Sequence, residues 1–131
     1  MNNEVKITVG GVNNQNIYGL SGGYSHTFTT TEDKHIYLEF DWTLLISTLY
    51  EGDEFGEAVV ELDDNVVTIE RLYGKQNTCT KSGTDRVVQF SNVPPGQHKI
   101  TIGVYNNQKT HNTEWTSVSY DNVKISVLDP P

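Results

Sequence analysis

Apolar residues recur at every second position between His35 and Ile46. Ile36, Leu38, Phe40, Trp42, Leu44 and Ile46 take one parity; Tyr37, Glu39, Asp41 and Thr43 take the other. A period of two sustained over this length predicts a strand with one face on a core, since a helix would scatter the same residues around its axis. Val5, Ile7 and Val9 alternate with Glu4, Lys6 and Thr8, predicting an opening strand that ends at Gly10-Gly11. Residues 12–16 form a polar loop, Gly22-Gly23 predicts a turn, and His26 to Thr30 predicts a strand. Ala58, Val60 and Leu62 alternate with Glu57, Val59 and Glu61; Asp63-Asp64-Asn65 signals a turn, and Val66 to Leu72 the return strand of a hairpin.

The polar stretch 74–84 predicts a loop with room for a short strand around Cys79, and Arg86 to Phe90 a strand. Pro94-Pro95-Gly96 predicts a tight turn, because proline presets φ and glycine relieves the exit. Ile100, Ile102 and Val104 form the inner face of the next strand, residues 106–113 a polar loop, and residues 115–127 the last strand or strand pair, with Val123, Ile125 and Val127 on one face. About ten short strands divided by turn residues predict an all-β fold, an antiparallel β-sandwich of two packed sheets in the jelly-roll manner. Residues 1–128 are expected to form this single module, with 129–131 starting a linker.

Composition agrees. Among 131 residues, 37 are Val, Ile or Thr and only Ala58 is alanine, a balance that favours pleated sheets over helices. The length can bury a core without staples. No apolar run reaches the roughly 20 residues that span a bilayer, so no membrane insertion is expected, and no basic-then-apolar leader opens the chain. Cys79 is the single cysteine, which excludes an internal disulfide and a zinc site built from several cysteines.

The net charge of −8 argues against nucleic acid and anionic membranes as partners. The charge is uneven: ten carboxylates and no Lys or Arg lie between His35 and Glu70, and Glu51, Asp53, Glu54, Glu57, Glu61, Asp63 and Asp64 crowd into fourteen residues. Such a run is either a solvated surface or a site whose repulsion a cation relieves. Asp121 shares parity with Val123, Ile125 and Val127, so an unbroken strand aims it at the core, where a carboxylate must be paired or bound to a cation. The alternative is a bulge that turns it outward. Ca2+ is the natural ion, taking six to eight oxygens, and in the absence of an EF-hand loop its ligands would come from separate loops.

The segment from Asn106 to Trp115 is dense in amides beside a tryptophan. Sugars ask for that pairing, with amides and carboxylates for hydroxyls and an aromatic face for C–H groups. Tyr50 and Tyr105, near strand ends, are expected to extend the same surface. An ordinary solvated loop with Trp115 in the core is the plainer reading. The four histidines lack ligand spacing, and no nucleophile elbow, phosphate loop or dinucleotide fingerprint is present.

Val93-Pro94-Pro95-Gly96-Gln97-His98-Lys99-Ile100-Thr101-Ile102-Gly103 is followed by Tyr105-Asn106-Asn107-Gln108-Lys109-Thr110, then Glu114-Trp115-Thr116 and Tyr120-Asp121-Asn122-Val123. This series resembles the closing part of bacterial β-jelly-roll carbohydrate-binding-type modules, galactose-binding-like in architecture, that are appended to secreted polysaccharide-degrading enzymes and surface adhesins. The resemblance covers 93–127 and, more loosely, 35–70. It implies a calcium-joining aspartate on the last strand, at Asp121, with Glu114 and Asn107 at the loop end. The expectation is therefore a non-catalytic, calcium-dependent module of a larger extracellular or cell-surface bacterial protein. Asp121 with Glu51, Asp53 and Glu57 would hold Ca2+; Asn106, Asn107, Glu114, Trp115, Tyr105 and Tyr50 would meet a polysaccharide or other glycan. The rival expectations are an adhesin domain for a peptide or protein, a structural spacer, and a small glycan-active enzyme working through a carboxylate pair.

Overall fold

A computed structural model describes residues 4–10, 17–48, 50–75, 78–109 and 114–130. Among them there is no helix. Eight strands form: β1 (Val5–Gly10), β2 (Ile17–Thr30), β3 (Lys34–Ile46), β4 (Phe55–Leu62), β5 (Asn65–Tyr73), β6 (Thr80–Val93), β7 (Gly96–Lys109) and β8 (Trp115–Leu128). They make two four-stranded sheets in the orders β1-β8-β3-β6 and β2-β7-β4-β5. All pairings are antiparallel.

The pairs β1·β8, β2·β7, β3·β6 and β4·β5 are those of one long hairpin with its tip between β4 and β5. Wrapping that hairpin adds the pairs β3·β8 and β4·β7 and closes two sheets. This is the jelly roll, an antiparallel β-sandwich. Ile36, Leu38, Phe40, Leu44 and Ile46 of β3 face Ala58, Val60 and Leu62 of β4 and Ile100, Ile102 and Val104 of β7 across the interior. Tyr120 of β8, fully buried, spans the gap and donates its hydroxyl to the Gly103 and Val59 carbonyls of the other sheet, at 2.6 and 3.0 Å.

Three sequence expectations are corrected. Gly22-Gly23 does not turn the chain but sits mid-strand in β2, with Gly23 opposite Gly103. A side chain on Gly23 would have its Cβ 2.7 Å from the Ile102 carbonyl, so the glycine serves close strand approach. Second, strands expected to be short run longer. β6 begins at Thr80, next to the short strand expected around Cys79, and runs unbroken through the expected loop to Val93, and β7 continues to Lys109 through Asn106 to Gln108; residues 110–113 lie outside the described part. Third, β8 is one strand, but its alternation breaks at Asn122, which takes φ of 52°. Tyr120 and Val123 therefore both face inward-side neighbours while Asp121 turns outward, opposite Asp41. The bulge replaces the unbroken parity that aimed Asp121 at the core.

Candidate functional site

One end of the sandwich holds a buried polar cluster. Thr116, Val118 and Tyr120 point inward from β8 in strict alternation, which carries a hydroxyl into the interior beside Gly56 of β4. A Cβ on Gly56 would stand 2.4 Å from the Thr116 side chain, so the glycine makes room for it. The Tyr50 hydroxyl lies between Thr116 Oγ1 and the Asn106 amide, bonded to both. Asn106 Oδ1 in turn accepts from the Gln108 N–H at 2.9 Å. Burial pushes the Tyr50 hydroxyl well above the usual tyrosine range, and the nearby Glu114 and Glu54 carboxylates add to the effect.

The turn from Tyr50 to Phe55 is folded on itself. Glu54 N–H donates to the Glu51 carbonyl (3.0 Å), and Glu51 N–H to Glu54 Oε1 (2.7 Å). The Gly74 N–H donates to the Glu54 carbonyl at 2.8 Å, an approach so close that a Cβ on Gly74 would lie 2.1 Å from the Glu51 carbonyl oxygen. Asn107 clamps the turn from β7: its Oδ1 accepts from Phe55 N–H (2.8 Å) and its Nδ2 donates to the Asp53 carbonyl (2.9 Å). Glu54 and Glu114 are fully buried and Glu51 is exposed, yet a carboxylate oxygen of each lies within 4.8 Å of the others. Burial pushes the Glu54 carboxyl up to about 7; the Glu51 N–H opposes that rise and the Glu114 and Glu51 charges reinforce it.

The residues expected to meet a glycan thus part company. Tyr50, Asn106, Asn107 and Glu114 do converge, but Tyr50, Asn106 and Glu114 are buried and Asn107 is bonded to the turn. This corrects the expected loop surface: β7 extends through Asn106, so its pleat sends that side chain inside. Trp115 faces the outer side of the β1-β8-β3-β6 sheet, beside Lys6, Thr8 and Leu45. Tyr105 faces the outer side of the other sheet.

The expected calcium ligands also separate. Glu51 lies at the cluster, and Asp53 contributes its carbonyl to the Asn107 clamp. Glu57 faces out of β4, where its Oε2 accepts from Arg71 Nε at 2.9 Å and Nη2 at 2.8 Å. Asp121 is seven residues beyond Glu114 along β8, roughly 20 Å at strand rise, too far to share an ion with Glu51. The carboxylates that gather with Glu51 are Glu54 and Glu114, not Asp53, Glu57 or Asp121. Inward alternation of Thr116, Val118 and Tyr120 was the sequence signal for this buried end.

The outer face of the β2-β7-β4-β5 sheet carries a second feature, a trough of about 550 Å³. Its floor is the register pair Gly23 and Gly103, which place no side chains there, continued by Val59. Tyr105 and Glu57 rise on one side, and Thr101, Glu61 and Lys99 on the other. Ser25 Oγ and Thr101 Oγ1 are bonded at 2.8 Å at the β2 end. Beyond Glu57, the Arg71 guanidinium lies 4.1 Å from the centre of the Phe55 ring, and Phe55 packs against Tyr73 (5.4 Å) and Tyr105 (6.2 Å). The sequence marked the tyrosine but not the trough, since a floor made of absent side chains appears only when Gly23 and Gly103 come into register.

No family model and no curated protein matches the chain. Among solved structures, it is similar to the VP2 subviral particle of infectious bursal disease virus, at 13% identity and a TM-score of 0.23 over 95% of this chain and 39% of that one. It is similar in the same degree to the structure of the Gx strain of that virus, at 12% identity and a TM-score of 0.23 over 98% and 42%. The chain therefore spans about two fifths of the length of those viral chains.

Proposed function

We propose that this chain is a non-catalytic carbohydrate-binding module that holds a glycan in the outer trough of the β2-β7-β4-β5 sheet, within a larger secreted or cell-surface bacterial protein. The observation that carries the reading is the side-chain-free Gly23–Gly103 floor between Tyr105 with Glu57 and Thr101 with Glu61 and Lys99. A pyranose is a flat body with apolar C–H faces and a polar rim. A glycine floor admits the ring, a tyrosine offers a face for its C–H groups, and carboxylate, hydroxyl and ammonium groups flank its hydroxyls. Few but well-placed polar groups in a concave site are what such ligands need. Binding rather than hydrolysis fits the acids present, because Glu57 is occupied by Arg71. The resemblance of residues 93–127 to modules of polysaccharide-degrading enzymes and adhesins supports the same ligand class and setting.

Affinity electrophoresis against a panel of soluble plant, algal and bacterial polysaccharides tests the reading. At least one polysaccharide should retard the protein, and Tyr105→Ala and Glu61→Ala should each weaken retardation tenfold or more. Full mobility in every polysaccharide would overturn it, as would retardation that both variants retain. Protein-only binding that Tyr105→Ala abolishes would instead favour an adhesin domain at the same trough.

A further inference from the structure

We propose that Glu51, Glu54 and Glu114 bind a Ca2+ ion that ties the Tyr50–Phe55 turn to the start of β8. Oxygens bound to one calcium at 2.3–2.6 Å lie no more than about 5 Å apart. One carboxylate oxygen from each of the three residues already meets that limit, within 4.8 Å. Glu54 supplies an independent observation. Its side chain is fully buried, its Oε1 takes the Glu51 N–H, and its Oε2 has no hydrogen-bond partner. The charges facing it are two further carboxylates, Glu114 and Glu51, and the Glu114 carboxyl lies within hydrogen-bonding reach of it. Facing buried carboxyl groups are relieved by a shared proton or by a cation, and the third carboxylate, exposed Glu51 within reach of both, favours the cation.

The donor chemistry selects the ion. Three carboxylates form a hard, all-oxygen set, which suits calcium; magnesium demands near-ideal octahedral geometry and keeps several waters, which two fully buried glutamates obstruct. Glu51, exposed, provides the entry side and leaves room for water to complete the shell. The assignment differs from the one that the resemblance implies, Asp121, which lies farther along β8 on the outer face of the β1-β8-β3-β6 sheet. It is also independent of the trough, which belongs to a different face.

Thermal melts of the intact chain in excess EDTA, Ca2+ and Mg2+ test it, with terbium luminescence as a direct probe of a carboxylate-bound ion. Calcium should raise Tm by several degrees and magnesium by much less, as for any ligand that binds only the folded state. Glu54→Gln should remove the calcium response while the protein stays folded, since it also removes a buried charge. Glu51→Ala, on the exposed side, should keep the fold and weaken terbium binding tenfold or more. Equal Tm in calcium and EDTA would overturn the proposal, and so would a calcium response that survives in both variants. Neither readout involves a glycan, so failure here leaves the carbohydrate reading standing, and the converse also holds.

Discussion

Asn122 donates its side-chain amide to the Asp41 carboxylate at 2.8 Å, and Asp41 uses its other oxygen to accept from the Asp85 N–H at 2.9 Å. Asp41 sits on β3, Asn122 on β8 and Asp85 on β6, so one carboxylate joins three adjacent strands. The register shifts on both sides of it, between Glu39 and Asp41 against β8 and between Phe40 and Trp42 against β6. Asp85 and Asn122 both adopt left-handed φ, 53° and 52°, a conformation that Asp and Asn tolerate better than most residues. The carboxylate supplies bonds that two interrupted ladders cannot.

Replacing Asp41 with Ala should therefore lower Tm and speed amide exchange at Asp85. The Asp85 N–H, followed by the Asn122 amide, holds the Asp41 carboxyl below its usual range. Its folded-state value is depressed, so its contribution is present above about pH 4 and disappears as pH falls through the folded value. Melts of wild type and Asp41→Ala from pH 7 downward should converge in acid. Curves that coincide at every pH would show that the bulges hold without the carboxylate.

Tyr120→Phe removes one hydroxyl from between two buried backbone carbonyls, those of Gly103 and Val59. The phenylalanine ring still fills the core, so the loss is of hydrogen bonding and not of packing. Urea denaturation should show a loss of about 1–3 kcal/mol with an unchanged m-value, the cost of leaving buried polar groups short of a partner. A loss under about 0.5 kcal/mol would mean that the carbonyls are served by the strand ladder alone.

His98 is buried with an acceptor at each ring nitrogen, Asp63 Oδ2 on Nδ1 and the Pro94 carbonyl on Nε2, both at 2.7 Å. Both nitrogens must donate, so the ring is held as imidazolium, and the Asp63 bond keeps it protonated above the usual histidine range. The same bond, with the Lys99 N–H, holds Asp63 below the usual carboxylate range. A raised histidine stabilises the fold fully below its unfolded value of about 6.5 and loses that contribution as pH rises through the folded value. A depressed aspartate contributes above about pH 4 and loses it as pH falls further. The Tm gap between wild type and His98→Gln should thus be widest between about pH 4 and 6.5 and narrow as pH rises through the raised folded-state value. NMR titration of the His98 ring checks the direction independently; a midpoint below 6.5 would contradict the paired imidazolium.

Much of the fold was legible because a half-buried strand writes its two faces into alternate letters. Ile36 to Ile46, Ala58 to Leu62 and Ile100 to Val104 face inward as their parity requires. Strand ends were less legible, because polar residues such as Asn106 and Thr116 occupy inward positions at the buried end, and polarity there reads as loop. Asp121 misled for the opposite reason: one left-handed residue, Asn122, shifts the parity of everything before it.

The sequence by itself determined the class of fold, the acidic character and the polar wealth of the 50–57 and 106–116 segments, all of them properties of neighbouring residues along the chain. Only the tertiary structure decided that Glu54 and Glu114, sixty residues apart, share one buried corner, and that Gly23 and Gly103 meet to floor a trough. Those are relations of register between strands distant in sequence, and register is settled by how two sheets pack their inner faces against each other.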